Sequence, residues 1–321
     1  MEPSLLDQVR DTCAAVAARA TYVHIDEDRI PAYAASLPLE EILSPQPDPV
    51  HHYLGHGDDT VAFILTLDAI NFGSGYFPHL RKRPGMSGYF TVASSLTEHY
   101  RAHGPLSAEE LEQLAVADCL RIFRQDPGNE PIWTLMGHFA TALNDLGHYV
   151  RTRFDGRFAG LVEAAAASAE QLVHLLIEMP YYRDIEPYGD LDVPFFKRAQ
   201  ITAADLWLAF DGQGPGRFDD IDRLTIFADN LVPHVLRVDG VLSYEDDLAA
   251  RIDAEQRIPA GSPQEVEIRA CALHAVELIA ANLRRAGHAV TSRGLDYLLW
   301  NRGQASHYKA RPRHRTRTVY Y

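Results

Sequence analysis

SPQEVEIRACALHAVELIAANLRRAG, residues 262–287, decides the fold class. Ser262 supplies an N-cap hydroxyl and Pro263 fits the first helical position, where no amide donor is needed. Glu265, three residues after the cap, is placed to reach back to the cap's amide. Val266, Ala270, Leu273, Val276 and Leu283 then recur at helical spacing, and Gly287 ends the run. A long helix follows from these residues alone.

The same signals recur outward from it. Residues 5–20 carry helical periodicity, and Ser107 with Glu110 forms a capping box opening a helix towards Phe123. Residues 133–151 and 160–179 read as helices, the second through the alanine run at 164–167, and Thr202 with Asp205 opens a further helix over residues 203–210. Strand signals are confined to residues 21–25, 61–67 and 87–92. The chain is therefore read as mostly α with a few short strands. It shows no internal repeat and no low-complexity linker. One domain over residues 1–321 is expected. The segment 184–194, rich in acids, tyrosine and proline, is read as a loop between two subdomains, 1–184 and 195–321, that share one cleft.

Composition narrows the class. With 321 residues, 46% hydrophobic and 23% charged, the chain is an ordinary globular protein with a sizeable core. Cys13, Cys119 and Cys271 are far apart and fit no metal-ligand spacing, so they are read as buried thiols of a reducing compartment. The opening residues MEPSLLDQVRDT lack the basic and apolar blocks of a signal peptide, and no apolar run approaches the ~18 residues of a membrane span. A cytoplasmic location without membrane attachment is expected. The net charge of −14 opposes stable binding to nucleic acid, so an anionic ligand must be gripped locally. The basic residues Lys309, Arg311, Arg313, Arg315 and Arg317 are read as a solvated end packed on an acidic body.

A second stretch, FDDIDRLTIFADNLVPHVL over residues 218–236, presents Asp219, Asp220 and Asp229 among apolar and aromatic residues. Asp229 lies between Ile226, Phe227, Ala228 and Leu231, Val232, Pro233, where a carboxylate is costly unless paired or used. Spacing alone leaves two readings, a helix cap or arginine partner and a catalytic group. Phosphate-binding loops, GxGxxG, HExxH and GxSxG are all absent. His51 and His52 with His56 suggest a metal cluster, but adjacent histidines on a strand face opposite sides, and no metal site is expected.

Separated segments then carry a resemblance. LDAINF (67–72), FFKRAQITAADLW (195–207), LTIFAD (224–229), QEVEIRA (264–270) and LDYLLW (295–300) resemble, in order and spacing, the queuosine salvage family, queuosine 5'-phosphate N-glycosylases that release the base queuine. The likeness covers most of the chain from about residue 50. It implies a helical fold similar to the helix-hairpin-helix DNA glycosylases, no cofactor, and hydrolysis of queuosine 5'-monophosphate to queuine and ribose 5-phosphate. By the same resemblance the catalytic aspartate is Asp229 and the lysine of the KRAQ motif is Lys197. Substrate-binding positions fall on Phe218 with Asp219 and Asp220, on Asp296 and Tyr297, on Asn301, and on His51 or His52. The chain departs from many relatives at Asn230 and Leu231, where they continue with Tyr and Arg. It also differs at Asn301, where they carry Asp, and at Gly73, Ser74 and Gly75, where they place aromatics.

The residue types suit that chemistry. Cleaving an N-glycosidic bond builds positive charge on the ribose, and a fixed carboxylate beneath C1' lowers the barrier; stabiliser, general base and nucleophile all remain open for Asp229. Queuine is a 7-deazaguanine without the N7 lone pair that a purine glycosylase protonates, so activation falls to groups such as Asp296, Asp219, Asp220 or a histidine. Its cationic amine and diol suit an acidic pocket. Phe72, Phe218 and Tyr297 are candidates to stack on the base. Lys197 and Arg198, ahead of the helix opened by Thr202, are read as the phosphate grip. Glu267 and Arg269 are read as a structural ion-pair set under the cleft, and Trp207 and Trp300 as core. Two other classes stay in view, a metal-dependent phosphohydrolase and a nucleic-acid glycosylase or binding module. The second is suggested by the hairpin-like LVPHVLRVDGVLSY (231–244).

Overall fold

The computed structural model describes residues 4–41 and 47–321; Met1, Glu2 and Pro3 of the opening run lie outside them. The Pro263–Arg285 helix forms as its signals require, with the Ser262 hydroxyl accepting the Glu265 amide. It is buried along almost its whole length and packs against the Leu5–Ala17, Ile30–Ala35, Val232–Val238 and Ser292–Arg302 helices. Asp58–Ala69 is a second central helix, packed on Lys197–Ala209, Gly88–His103, Glu130–Arg153 and Phe158–Ala164. Buried apolar residues from Leu6 to Tyr308 join into one cluster that includes both helices.

Two of the three expected strands are helical. Residues 61–67 lie within Asp58–Ala69, where every residue from Thr60 to Ala69 is buried. A helix apolar on all sides loses its 3.6-residue signature and reads like a buried strand. Residues 87–92 open the Gly88–His103 helix, whose Ser87 hydroxyl accepts the Phe90 amide; that cap outweighs the strand preference of the aromatic and β-branched residues. The third expectation holds in part, since Val23–Ile25 pairs antiparallel with Leu242–Tyr244.

Helix boundaries moved where distant partners act. The 160–179 reading splits into Phe158–Ala164 and Ala169–Leu176, with Ala166 at φ 49° and Ala167 at φ 61°. A left-handed alanine costs about 1–2 kcal/mol. Here the Ser168 hydroxyl caps the second helix, and the Asp220 carboxylate accepts the Ala169 and Glu170 amides, which offsets that cost. The reading from Ser107 to Phe123 likewise divides into Ala108–Glu112, with its capping box, and Val116–Ile122.

The segment 184–194 is not a loose connection. It forms the antiparallel hairpin Ile185–Tyr188 with Leu191–Pro194. Asp184, at its base, is buried and accepts the amide of Lys197. The Lys197–Ala209 helix therefore starts ahead of the expected residue 203 because its cap comes from another part of the chain. Thr202 sits inside it and donates to the Arg198 carbonyl. Residues 231–244 fold as the Val232–Val238 helix, a turn at Gly240 (φ 77°) and the Leu242–Tyr244 strand.

The basic segment is solvated only in part: Lys309, Arg311 and Arg313 are exposed, as expected, but its backbone is built into the fold. His314, Thr316, Thr318 and Tyr321 are buried, alternating with Arg313, Arg315 and Arg317. Its backbone is tied by Ile258 N–H to the Arg315 carbonyl (2.9 Å) and by Gly73 N–H to the Tyr321 carbonyl (2.9 Å). No described helix is long and apolar enough to cross a membrane.

Candidate active site

Asp229 ends an extended segment whose preceding residues, Leu224 to Ala228, are all buried. Three distant side chains fix that segment. The Gln200 amide oxygen accepts Thr225 N–H at 2.9 Å, Asp296 accepts Phe227 N–H at 2.9 Å, and Arg269 Nε donates to the Ala228 carbonyl at 2.9 Å. Asp229 Oδ1 accepts the Leu231 and Val232 amides at 2.7 and 3.2 Å, which caps the Val232–Val238 helix. The same side chain borders a cleft of about 1020 Å³, a size suited to a nucleotide-sized ligand. The capping reading and the site reading of Asp229 are thus compatible: the chain's hydrogen bonds go to Oδ1.

The wall around it carries charge of both signs. Lys197 is buried, with Nζ 3.2 Å from the Asn71 carbonyl and 3.4 Å from Asn71 Oδ1. Burial pulls its pKa down, while the charges of Asp229 and Asp68 oppose that. Burial, then the charge of Asp229, pushes the Asp296 carboxyl well above the ordinary range. Asp68 is pushed up to about 6 by burial, against Asn71 and Lys197, and Asp205 is raised well above normal by burial and by Asp68. Two carboxyls bordering the cleft, Asp205 and Asp296, therefore favour the protonated state, in which each can donate a hydrogen bond.

The sequence-based candidates divide. Asp229, Lys197, Asp296, Tyr297, Asn301 and Phe72 line the cleft. Of the histidine pair it is His52 that lines it, with Nε2 2.9 Å from the Tyr89 hydroxyl; burial lowers its pKa, so it is neutral at pH 7. His51 turns to Asp48 Oδ2 at 2.6 Å and packs on Phe90. Phe72 is nearly fully buried, with the Arg198 guanidinium 4.9 Å over its ring and Phe139 edge-on at 5.2 Å, so much of its role is packing.

Phe218, Asp219 and Asp220 are not brought to the cleft. Phe218 is in the core, Asp219 pairs with Arg217 at the surface, and Asp220 binds Ser168 and the amides beyond it. Their neighbouring positions in sequence concealed three separate structural tasks. Arg198 is likewise no phosphate grip. It is 2% exposed and donates to the carbonyls of Ala69, at the end of the Asp58–Ala69 helix, and of Tyr181.

Glu267 and Arg269 do not form one ion-pair set. Glu267 accepts the amides of Thr21, Tyr22 and Val23. Arg269 makes a two-pronged contact with Asp184 at 2.9 and 2.6 Å between the rings of Phe195 and Tyr321. Trp207 and Trp300, read as core, are half-buried and line the cleft, Trp207 beneath Arg293 and Trp300 edge-on to Tyr89 and Phe90.

Sequence reasoning missed Asp205 as a wall residue and the basic segment as part of the site. Lys309, Arg311, Arg313 and Arg315 all line the cleft, with Lys82 from a separate loop. The available signal was the alternation of arginine with His314, Thr316 and Thr318, which is the period of an extended, half-buried segment. Among the described residues no group of three or more His, Cys, Asp or Glu side chains is placed to hold a metal ion.

The family model for the queuosine salvage protein matches residues 51–321. The chain belongs to the queuosine salvage family. It is 36% identical over 318 residues, covering 98% of this chain and 97% of the relative, to a protein of Sphaerobacter thermophilus named queuosine 5'-phosphate N-glycosylase/hydrolase. Proteins with that name from Dictyostelium discoideum (37% identity, 82% of this chain and 78% of theirs) and Mus musculus (33%, 73% and 72%) are also similar. The family match takes in every cleft residue named above except Asp48, which lies just ahead of it.

Proposed function

We propose that this chain hydrolyses the N-glycosidic bond of queuosine 5'-monophosphate in the cytoplasm, giving queuine and ribose 5-phosphate. The observation that carries the reading is the position of Asp229, on the wall of a nucleotide-sized cleft between cations and proton-holding carboxyls, in a chain whose full-length relative bears that enzyme name. The three buried free cysteines accord with a reducing compartment.

As the glycosidic bond lengthens, charge grows on C1' and the ring oxygen, and the Asp229 carboxylate stabilises it or activates water against it. Its two backbone hydrogen bonds hold it in place before the reaction, so little reorganisation is needed. Lys197 places its ammonium near enough to Asp229 for the two charges to interact. The departing 7-deazaguanine carries negative charge, and protonated Asp296 or Asp205 donates to its edge. Trp300, Tyr297 and Trp207 offer apolar faces for the flat base.

Of the alternatives, a metal-dependent phosphohydrolase lacks a ligand set among the described residues. Chromatographic detection of queuine from queuosine 5'-monophosphate, beside guanosine 5'-monophosphate and with chelator present, tests the proposal. Release from the queuosine nucleotide alone is expected. Release of inorganic phosphate without queuine would refute it.

A further inference from the structure

One turn of the chain fixes the direction of a hydrogen bond in the cleft wall. The Asp48 carbonyl accepts the His52 amide at 3.1 Å and lies 2.9 Å from His52 Nδ1. A carbonyl can only accept, so Nδ1 carries a hydrogen. A histidine is mostly neutral above about pH 6.5, and the partners of the His52 ring are a carbonyl and a hydroxyl, neither of which holds it charged. Nε2 of the neutral ring is then bare. It lies 2.9 Å from the Tyr89 hydroxyl, so the hydroxyl donates and Nε2 accepts.

The scaffold imposes this arrangement. Asp48 Oδ1 accepts the Val50 and His51 amides at 3.1 and 3.2 Å, and Asp48 Oδ2 meets His51 Nδ1 at 2.6 Å. The turn is fastened to the Gly88–His103 helix, where Thr97 Oγ1 donates to the His51 carbonyl at 2.7 Å and Arg101 to the Pro49 carbonyl at 3.0 Å. Tyr89 stands at the start of that same helix. One framework therefore holds both His52 and Tyr89, and the direction of their bond is set before any ligand arrives.

Tyr89 and His52 both line the cleft, and the hydrogen of the Tyr89 hydroxyl is already given to His52. What the hydroxyl has left is lone pairs. A ligand group beside it must bring a hydrogen of its own, which excludes a phosphate, a carboxylate or a carbonyl and admits a hydroxyl or an ammonium. The substrate of the proposed reaction carries both on the arm that queuine adds to 7-deazaguanine, a protonated secondary amine bearing a cyclopentenediol. The rings of Phe90 and Trp300, 5.4 and 6.2 Å from that of Tyr89, favour this cationic arm over the neutral hydroxyls of the ribose. We propose that Tyr89 determines specificity for the arm by accepting a hydrogen bond from its ammonium or diol, with His52 as the positioning residue that makes the hydroxyl an acceptor. This inference rests on the queuosine reading above and deepens it.

The test is calorimetric binding of queuine, 7-aminomethyl-7-deazaguanine and 7-deazaguanine to wild type and to Tyr89→Phe. The variant keeps the ring and loses only the oxygen. Queuine binding weakens roughly 3- to 30-fold, while 7-deazaguanine binding is unchanged. If the aminomethyl base weakens like queuine, the ammonium is the partner; if it does not, the diol is, and either result supports the inference. Equal weakening of all the bases, or of none, overturns it. Nitrogen NMR of the wild-type His52 ring gives a readout that plain packing would not set. A hydrogen on Nδ1 and a bare Nε2 are expected, and a hydrogen on Nε2 overturns the inference. Selective loss for queuine in Tyr89→Phe, in a protein whose wild type releases no queuine from the nucleotide, would remove the proposed activity and leave this inference standing. Release of queuine by wild type without that selective loss would do the opposite.

Discussion

Arg269 holds together the hairpin base, the start of the Lys197–Ala209 helix and the segment leading to Asp229, so its removal should be severe. The side chain is 0% exposed. It gives two charge-assisted hydrogen bonds to Asp184, at 2.9 and 2.6 Å, and one to the Ala228 carbonyl at 2.9 Å, with Glu265 3.7 Å away. Arg269→Met fills much of the volume but leaves Asp184 and Glu265 buried without their cation and the Ala228 carbonyl without its donor. Breaking a buried pair in this way costs about 3–5 kcal/mol. The assay is equilibrium unfolding in urea followed by circular dichroism, run beside the double variant Asp184→Asn/Arg269→Met. The double variant removes both charges and should be less destabilised than Arg269→Met alone. A loss below about 1 kcal/mol in the single variant, or a double variant no better than the single, would refute the reasoning.

Two further predictions concern pH and the seating of the basic segment. The folded chain keeps a proton on Asp68 up to about pH 6, whereas an unfolded aspartate releases it near the ordinary value of 3.8. The folded state therefore binds more protons in that interval, and stability falls as pH rises through it. Asp68→Asn should lessen this fall by the share Asp68 contributes, seen as flatter urea midpoints between about pH 4 and pH 6; a curve parallel to wild type would count against a proton held there. A Cβ at Gly75 would lie 2.1 Å from the Thr316 carbonyl oxygen and 2.5 Å from its carbon, a collision with backbone. Gly75→Ala should cost about 1–3 kcal/mol in urea unfolding, whereas an unchanged midpoint would mean that the Thr316 backbone is not seated against this position.

Legibility in the sequence followed the range of the interactions. The Pro263–Arg285 helix was readable because its cap, first-turn proline and terminating glycine are all local. The Asp58–Ala69 helix was not, because burial on every side erased its period. The start of the Lys197–Ala209 helix depends on Asp184, and the break at Ala166 and Ala167 on Asp220, so no local window contains either cause. In the site, Asp229 stood out as a carboxylate among apolar neighbours, and family motifs pointed to Lys197, Asp296, Tyr297 and Asn301. Asp219 and Asp220 stood out for the same local reason and proved to serve elsewhere. In the basic segment Lys309, Arg311 and Arg313 are exposed, as the reading of a solvated end required, whereas charge counting gave no view of His314, Thr316 and Thr318, whose burial seats its backbone.

The measurement closest to the central claim is the rate of queuine release from queuosine 5'-monophosphate, with chelator present, for wild type beside Asp229→Asn. The amide keeps the shape of the side chain and its oxygen can still accept the Leu231 and Val232 amides, so the fold should persist, as circular dichroism would verify. Loss of one fixed group that stabilises transition-state charge costs about 10²- to 10³-fold or more in turnover. A fall of that size in a folded variant is the result this account requires. Turnover by Asp229→Asn within about threefold of wild type would contradict it and move the chemistry to another residue of the cleft.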